Sequence, residues 1–370
     1  MSDERLLSTF LDLVRIDSPS RQEAAVAHYV TDRLQAAGME VRFDESMDLT
    51  GSDTGNLIAT LPGTAPGTRL VLSAHMDCVE PCENVEPVVR DGEIFSAGET
   101  VLGGDDKAGV AAIIETVERL TEARLPHPDI RVVLTVSEET GLTGAKALDP
   151  AEVEGDLCLV LDADGQVGGI VIGAPTHYTF VATFHGKAAH AGVAPETGTS
   201  AIRMAALAVA EIPVGRLDER TTANIGTIAG GTATNVIAPL VRLTGECRSI
   251  DRDRVEEVRL AMDGAMRRAA EAEGGRVEIA WTKEYEGFCF EGDSPLVSLV
   301  ADACSDIGIE PRRFTTGGGS DGNIFSAAGV PTLVLSCGMT SVHGTEECLA
   351  ITDLNALPAL LLRVVARAVS

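Results

Sequence analysis

The sequence predicts an α/β protein in which a mixed, mostly parallel sheet is flanked by helices and carries a second, smaller inserted domain. Short apolar runs, typical of strands buried on both faces, alternate with helical patterns near both ends of the chain. The middle of the chain instead has longer strand patterns grouped around two helices. In addition, His, Asp or Glu residues follow several of the apolar runs, which is where α/β sheets carry their sites.

Length and charge suggest two domains and exclude some partners. The chain has 370 residues, 45% of them hydrophobic, and a formal net charge of −27; domains average roughly 150 residues. The acidic balance argues against nucleic acid and anionic membranes as partners. No apolar run reaches the roughly 18 residues of a membrane span, and we see no signal-peptide pattern. We therefore expect a soluble cytoplasmic protein.

The first and last parts of the chain alternate helices and strands. Helical spacing of apolar residues occurs at 6–14 and 26–34, from Val110 onward, and at 296–303 and 353–368. Asp91-Gly92 predicts the tip of a hairpin within 88–95. The other predicted strands are 40–43, 56–61, 70–72, 130–136, 157–161 and 332–335.

The middle of the chain has a different pattern, which predicts a separate domain. Its predicted strands and helices follow the order β-α-β-β-α-β of a ferredoxin-like unit. We place this inserted domain at 174–286, and the first domain at 1–173 and 287–370. The elements are strands at 178–185, 221–228, 236–246 and 276–282, and helices at 200–212 and 255–272.

Potential metal ligands stand at the ends of several apolar strands in the first domain. Because the carboxyl ends of parallel strands meet at one sheet edge, we expect these side chains to converge. Asp105 and Asp106 follow a Gly-Gly turn and precede a helix, so capping of that helix is the alternative interpretation for both. The whole set consists of His75, Asp77, Asp105, Glu138, Glu139, Asp162 and His343.

Gathered carboxylates need positive charge nearby, and the motifs supply little of it. Uncompensated buried acids repel one another and lose hydration, and Lys107 is the one cation within these motifs. Divalent metals would compensate them, and a central carboxylate would bridge two ions. Imidazole with carboxylate suits zinc, and also cobalt or manganese. Cys78 and Cys82 flank the site and leave a zinc-thiolate role as a weaker alternative, although their spacing is poor for it.

The ordered motifs resemble those of a known family. His75-Met76-Asp77, Gly103-Gly104-Asp105-Asp106-Lys107, Ser137-Glu138-Glu139-Thr140 and the late His343 look like the M20 co-catalytic zinc peptidases, most similar to the peptidase T (tripeptide aminopeptidase) branch. The resemblance covers nearly the whole chain. It implies that the inserted domain is a lid or dimerisation domain, through which two copies of the chain would form a homodimer.

The resemblance implies a dinuclear site, most simply with zinc. His75 would bind one ion and His343 the other, Asp105 would bridge both, and Glu139 and Asp162 would be terminal ligands. The spacing leaves Asp164 open as a substitute for Asp162, and Asp106 is expected to cap the helix. Asp77 would orient His75, and Glu138 would act as general base on a metal-activated water.

The resemblance also assigns residues of the inserted domain and the loop after it. His190 would stabilise the developing oxyanion, whereas from the sequence alone it could equally be a loop histidine. Asn235, Arg248 and Gly318 would bind substrate. The peptidase T branch has an Arg where this chain has Gly317, which weakens the expectation of strict tripeptide selectivity.

These expectations combine into one leading function and two alternatives. The leading function is a metal-dependent exopeptidase on short peptides, acting as an aminopeptidase. One alternative is an N-acyl amino acid deacylase or carboxypeptidase of the same family. The other, from a different class, is a non-catalytic metal-binding protein; the presence of Glu138 argues against it.

Overall fold

The computed structural model describes residues 2–369 and divides them into two compact units. Unit 1 comprises the residues up to 172, residues 290–315 and the residues from 320 onward. Unit 2 comprises residues 173–289 together with 316–319. The main difference from the predicted domains concerns residues 316–319, which were predicted in the first domain and belong to unit 2. The roles of a catalytic domain and a lid stay predictions.

Helices and strands are named here in chain order. The helices are α1 Ser2–Val14, α2 Ala24–Ala36, α3 Met47–Thr50, α4 Gly104–Glu122, α5 Thr143–Ala147, α6 Ala201–Glu211, α7 Arg252–Ala272, α8 Pro295–Asp306, α9 Asp321–Ala327 and α10 Ile351–Ala368. The strands are β1 Glu40–Phe43, β2 Leu57–Leu61, β3 Leu70–His75, β4 Pro87–Arg90, β5 Glu93–Ser96, β6 Ile130–Thr135, β7 Leu157–Ala163, β8 Gly169–Ala174, β9 Thr176–His185, β10 Gly215–Asp218, β11 Thr221–Gly230, β12 Leu240–Ser249, β13 Arg276–Tyr285, β14 Phe288–Cys289, β15 Arg312–Thr315, β16 Thr332–Ser336, β17 Met339–Thr340 and β18 Cys348–Ala350.

The main sheet of unit 1 is mixed and mostly parallel at its centre, as the sequence predicted. Its order is β1-β2-β6-β3-β7-β16-β8, and β15 also pairs with β8. The central strands β6, β3, β7 and β16 are parallel to one another, and β1, β2 and β8 pair antiparallel at the two sides. Every residue of β3 is buried, because helices cover the sheet: α4 packs against β3 and β7, and α9 against β7 and β16.

A second, small sheet of unit 1 contains the predicted hairpin. Strands β4 and β5 pair antiparallel around Asp91 and Gly92, both of which have positive φ. The sheet continues through β18 to β17 in the order β17-β18-β5-β4. This sheet holds both ends of the segment 341–347, which includes His343.

Unit 2 is ferredoxin-like, which confirms the predicted class of the insert. Its antiparallel sheet has the order β10-β11-β12-β9-β13, and α6 and α7 pack on it over a core that includes Phe180, Phe184 and Met262. The strand predicted at 236–246 begins at Leu240 and runs to Ser249. Pro239 explains the late start, because proline has no N–H to donate to a ladder.

The first and last residues of the segment 173–289 lie side by side. Ala174 and Gly173, at the end of β8, pair antiparallel with Phe288 and Cys289 of β14. The segment 173–289 of this unit therefore begins and ends at one short antiparallel pair. Among residues 2–369, no helix is long and apolar enough to cross a membrane.

Candidate metal centre

Three parallel strands deliver potential metal ligands to one edge of the main sheet of unit 1. His75 is the last residue of β3, and Glu138 and Glu139 follow the end of β6. Asp162 is the second-to-last residue of β7. The strand was predicted to end at 161, but it extends to Ala163. Since these strands are parallel, their carboxyl ends share one edge.

His75 is oriented through one ring nitrogen and presents the other to two carboxylates. Its Nδ1 lies 3.0 Å from the backbone oxygen of Asp77 and 3.4 Å from the Asp77 carboxylate. Its Nε2 lies 3.2 Å from Asp105 Oδ1 and 3.5 Å from Asp162 Oδ1. With Nδ1–H donating to the carbonyl, Nε2 is the atom free to bind a metal.

Asp105 connects two groups of ligand atoms. Its Oδ1 faces His75, whereas its Oδ2 lies 3.2 Å from His343 Nε2. His343 Nε2 is also 3.2 Å from Glu139 Oε2. We call His75, Asp105 and Asp162 the His75 half, and Asp105, Glu139 and His343 the His343 half. Within each half, one ligand atom per residue lies within 4.8 Å of the others.

The Asp77 carboxylate fixes the segment that carries the two adjacent glutamates. It accepts hydrogen bonds from the backbone N–H of Glu138 at 3.0 Å and of Glu139 at 3.2 Å. The Ser20 hydroxyl donates to Asp77 Oδ2, the oxygen that also accepts from Glu139, at 2.6 Å. Asp77 is fully buried, so this carboxylate ties the end of β3 to the residues after β6.

Burial and close contacts shift the proton affinities of the cluster strongly. Burial opposes the charge on His75, yet contacts with Asp105 and Asp162 outweigh it and raise its pKa well above the usual value. Burial raises the pKa of Asp162 to about 7 and that of Glu138 well above its ordinary range. Hydrogen bonding, first to Asp105 and then to a second carboxylate, raises the pKa of His343 to about 10.

The chemistry of the donor set fits divalent metals. Glu139 Oε1 is buried and has no hydrogen-bond partner among the residues that the structure describes. A buried carboxylate oxygen without a partner is costly unless a cation or a proton satisfies it. Imidazole nitrogens together with carboxylate oxygens are ligands that zinc, cobalt and manganese accept.

Two further aspartates from the motifs lie outside both halves. Asp106 Oδ1 accepts a hydrogen bond from the Gly109 N–H at 3.2 Å, which is the contact expected of a helix cap. Asp105 and Asp106 themselves have non-helical backbone angles, although α4 is assigned from Gly104. Asp164 is exposed and belongs to none of the ligand groups found between residues 2 and 369. The geometry therefore favours Asp162 over Asp164.

The cysteine alternative finds no support in the described part of the chain. Cys78 and Cys82 are buried free thiols, and burial raises the pKa of Cys78 to about 12. A thiol that holds its proton so firmly is a poor ligand. No ligand group among residues 2–369 contains a cysteine.

The predicted residues of unit 2 fall into two places within that unit. His190 is exposed, and its segment meets the Asn235 segment through a hydrogen bond from the Ala191 N–H to the Asn235 oxygen at 2.9 Å. Arg248 projects from β12 towards the loop 316–319, where its Nη1 lies 3.4 Å from the Gly317 oxygen. Gly318 is in this loop, and its N–H donates to the Thr316 hydroxyl at 3.1 Å.

Arg248 is held by an acid of its own strand. Its Nη2 donates to Glu246 Oε2 at 2.9 Å, and its Nη1 lies 3.3 Å from the Tyr285 hydroxyl. Glu246 also contacts His177 Nε2 at 2.8 Å. His177 is buried, and this contact gives it a structural role in the sheet of unit 2.

Sequence reasoning missed two buried glutamates that brace the cluster. Glu347 accepts hydrogen bonds from the backbone of Gly103 and Asp105. Glu23 accepts them from the backbone and hydroxyl of Ser137, directly before the paired glutamates. The position of Glu347, four residues after His343, could have indicated that it lies near the cluster. Nothing in the local sequence distinguishes Glu23 from a surface acid.

Comparisons with known proteins agree with this geometry. The model of Peptidase family M20/M25/M40 matches residues 71–367. The chain is 40% identical over 354 residues to uncharacterized protein YqjE of Bacillus subtilis (strain 168). The alignment covers 96% of this chain and 95% of that protein.

Two solved structures are similar over almost their whole length. The crystal structure of aminopeptidase PepT from Bacillus cereus ATCC 10987 has a TM-score of 0.95 at 39% identity, covering 99% of this chain and 98% of that one. A tripeptidase from Staphylococcus aureus subsp. aureus Mu50 has a TM-score of 0.95 at 38% identity, covering 98% and 97%.

Proposed function

Because the chain belongs to the peptidase family M20/M25/M40, we propose that it is a metal-dependent exopeptidase that hydrolyses short peptides as an aminopeptidase. Two similar solved structures are described as an aminopeptidase and a tripeptidase, which supports this choice within the family. The proposal includes a dinuclear centre in unit 1 with zinc as the expected metal, and cobalt or manganese as substitutes.

One observation carries the proposal: the two oxygens of Asp105 face two different histidines at the same distance of 3.2 Å. A carboxylate that bridges two ions needs this arrangement. His75 and Asp162 would hold one ion, and His343 and Glu139 the other. When bound, the two ions would activate a water and polarise the scissile carbonyl of the peptide.

Glu138 is the proposed general base. Its side chain is buried beside His75 and Glu139, and its atoms lie within 4.8 Å of potential ligand atoms of both. The carboxylate would take a proton from the attacking water and pass it to the leaving amine. Burial raises the pKa of Glu138, which suits a group that must hold a proton between two transfers. Asp77 would position His75 and the Glu138 backbone.

The proposed roles in unit 2 come from the family resemblance. His190 would donate to the developing oxyanion, and Asn235, Arg248 and Gly318 would bind the peptide. Arg248 supplies the guanidinium beside the loop 316–319, and its Nε is buried without a hydrogen-bond partner among the described residues. A guanidinium can bind a peptide carboxylate through two parallel hydrogen bonds.

The proposal also covers the oligomer and the cellular location. We propose a homodimer formed through unit 2, and a cytoplasmic location. All eight cysteines are free thiols, and reduced cysteines are typical of proteins in reducing compartments. The oligomer can be measured by light scattering at two protein concentrations.

The test of the proposed function combines metal analysis with a substrate panel. Purified protein should contain about two divalent ions per chain, as the ligand count predicts. A panel of dipeptides, tripeptides and their N-acylated counterparts should show cleavage of free N-termini and none of the blocked ones. Cleavage of the N-acylated substrates alone would replace the aminopeptidase by the deacylase or carboxypeptidase alternative. Metal binding without any turnover would favour the non-catalytic alternative.

A further inference from the structure

Glu347 is a buried acid that touches the metal cluster without belonging to it. The residue is 1% exposed, although it lies in the mostly exposed segment between His343 and β18. The neighbouring Glu346 is exposed. Acids are buried this fully only where specific partners compensate them.

The partners of Glu347 are backbone donors of the loop that carries Asp105. Its Oε2 accepts from the Gly103 N–H at 2.8 Å, and its Oε1 from the Asp105 N–H at 2.9 Å. Gly103 has φ of +74°, a left-handed conformation that glycine adopts without strain. The loop is thereby folded around the carboxylate, and one hydrogen bond acts directly on the residue that faces both histidines.

Gly104 has no room for a side chain at this contact. A Cβ on Gly104 would lie 2.9 Å from Glu347 Oε1. A glycine here lets the carboxylate approach the backbone closely. The close contact between this carboxylate and the backbone therefore depends on both segments: on the buried acid Glu347 and on the two glycines, Gly103 and Gly104.

The other end of Glu347 belongs to the turn that presents His343. The Glu347 N–H donates to the Gly344 oxygen at 3.0 Å, which closes the turn. His343 itself has φ of +63° and a side chain that is 55% exposed. Because most of its side chain is exposed, the position of His343 depends on its backbone: on β17 and β18 at the ends of the segment, on the closed turn, and on the link of that turn to the Asp105 loop.

We propose that Glu347 is a positioning residue that holds the Asp105 loop and the His343 turn together, and so sets the metal affinity of the His343 half. This inference rests on the proposed dinuclear centre. The His75 half depends less on Glu347, because His75 and Asp162 are carried by the buried strands β3 and β7. Loss of Glu347 is thus expected to weaken one of the two sites selectively.

The experiment is a metal titration of the full chain after its metals have been removed. Cobalt(II) is the probe, since its visible absorption reports each bound ion, and the wild type should bind in two steps. The variants are Glu347→Gln, which keeps the shape of the side chain, and Gly104→Ala, which crowds the same carboxylate from the other side. Glu346→Gln is the matched control, and His343→Ala marks the step that belongs to the His343 half.

Both test variants should retain the step that survives in His343→Ala. The other step should weaken by about 10–100-fold, the usual loss when a residue that supports a metal ligand is changed. Glu346→Gln should match the wild type. Thermal unfolding of each metal-free variant shows whether it is folded; if Glu347→Gln fails to fold, Gly104→Ala alone decides.

Two outcomes would overturn the inference. Either both steps weaken equally, or a folded variant binds both ions with wild-type affinity. These outcomes differ from failure of the proposed function, in which the wild type itself would bind fewer than two ions or would bind them without hydrolysing any peptide.

Discussion

The two halves of the candidate metal centre are built in different ways. In the His75 half, the histidine ends a fully buried strand and its side chain is 2% exposed. In the His343 half, the histidine lies on a turn and its side chain is 55% exposed. The first half takes its geometry from the sheet, whereas the second takes it from contacts between loops. We therefore expect the His343 half to bind its ion more weakly and to exchange it faster.

Removal of both ions should have the largest effect. Chelation should abolish peptide hydrolysis, because both the activation of water and the polarisation of the carbonyl depend on the ions. Zinc, cobalt or manganese should restore it. Stepwise reloading monitored by activity and metal content would show whether one occupied half is enough. Full activity in a demonstrably metal-free sample would refute the proposed function.

Glu138→Gln should leave both halves loaded and still reduce turnover. The amide keeps the shape of the side chain but cannot take the proton, and general acid–base catalysis contributes about 10²–10⁴-fold. The measurement is kcat together with the metal content of the same sample. Loss of metal in this variant would make Glu138 a ligand, and a wild-type kcat would remove it from the mechanism.

His190→Ala tests a residue that belongs to neither half. Removal of one oxyanion donor costs about 10²–10³-fold in kcat, so turnover should fall while both cobalt steps stay unchanged. His28→Ala is a suitable control, since His28 is an exposed histidine of α2. Equal kcat values for the two variants would exclude His190 from the reaction.

Glu139→Ala should separate the two halves directly. The variant loses a carboxylate that lies 3.2 Å from His343 and should lower the affinity for one ion, with activity falling in parallel. The loss should be at least the 10–100-fold typical of residues that only support a ligand. If Glu139→Ala keeps both ions while Glu138→Gln loses one, the roles of the two glutamates are reversed.

The pH dependence of metal binding should be visible at the exposed half. In the metal-free protein the pKa of His343 is raised to about 10, so the ring carries a proton at pH 7 that a metal must displace. The affinity of this half should therefore rise with pH by up to about tenfold per unit and level off near pH 10. Titrations at pH 6.5, 7.5 and 8.5 measure this slope; an affinity independent of pH would contradict it.

Much of the fold could be predicted because local patterns and the final structure agree. The continuous apolar runs before His75 and Glu138 predict buried strands, and both strands are buried in the sheet. Parallel strands then bring distant residues to one edge without further information. The same reasoning predicted the clustering of the candidate ligands, although their roles as ligands remain proposals.

Features that depend on contacts between distant segments could not be predicted. Glu347 meets the Asp105 loop across about 240 positions, and an acid on a turn looks like any surface acid in the sequence. The apolar residues before Pro239 suggest an earlier start for β12. The strand begins only at Leu240, because Pro239 has no N–H to donate to a neighbouring strand. Short strands such as β15 and β17 form only because a neighbouring strand is present to pair with them.

The paired backbone at the ends of unit 2 has a consequence for how such a chain can be shortened or extended. Ala174 and Phe288 face each other across one antiparallel pair, and partners in such a pair are about 5 Å apart between their Cα atoms. A tight hairpin turn could join them in place of everything between. Removal of residues 175–287 would therefore leave every residue of the two halves in its original segment, and it would also remove the contact that Arg248 of β12 makes with the loop 316–319.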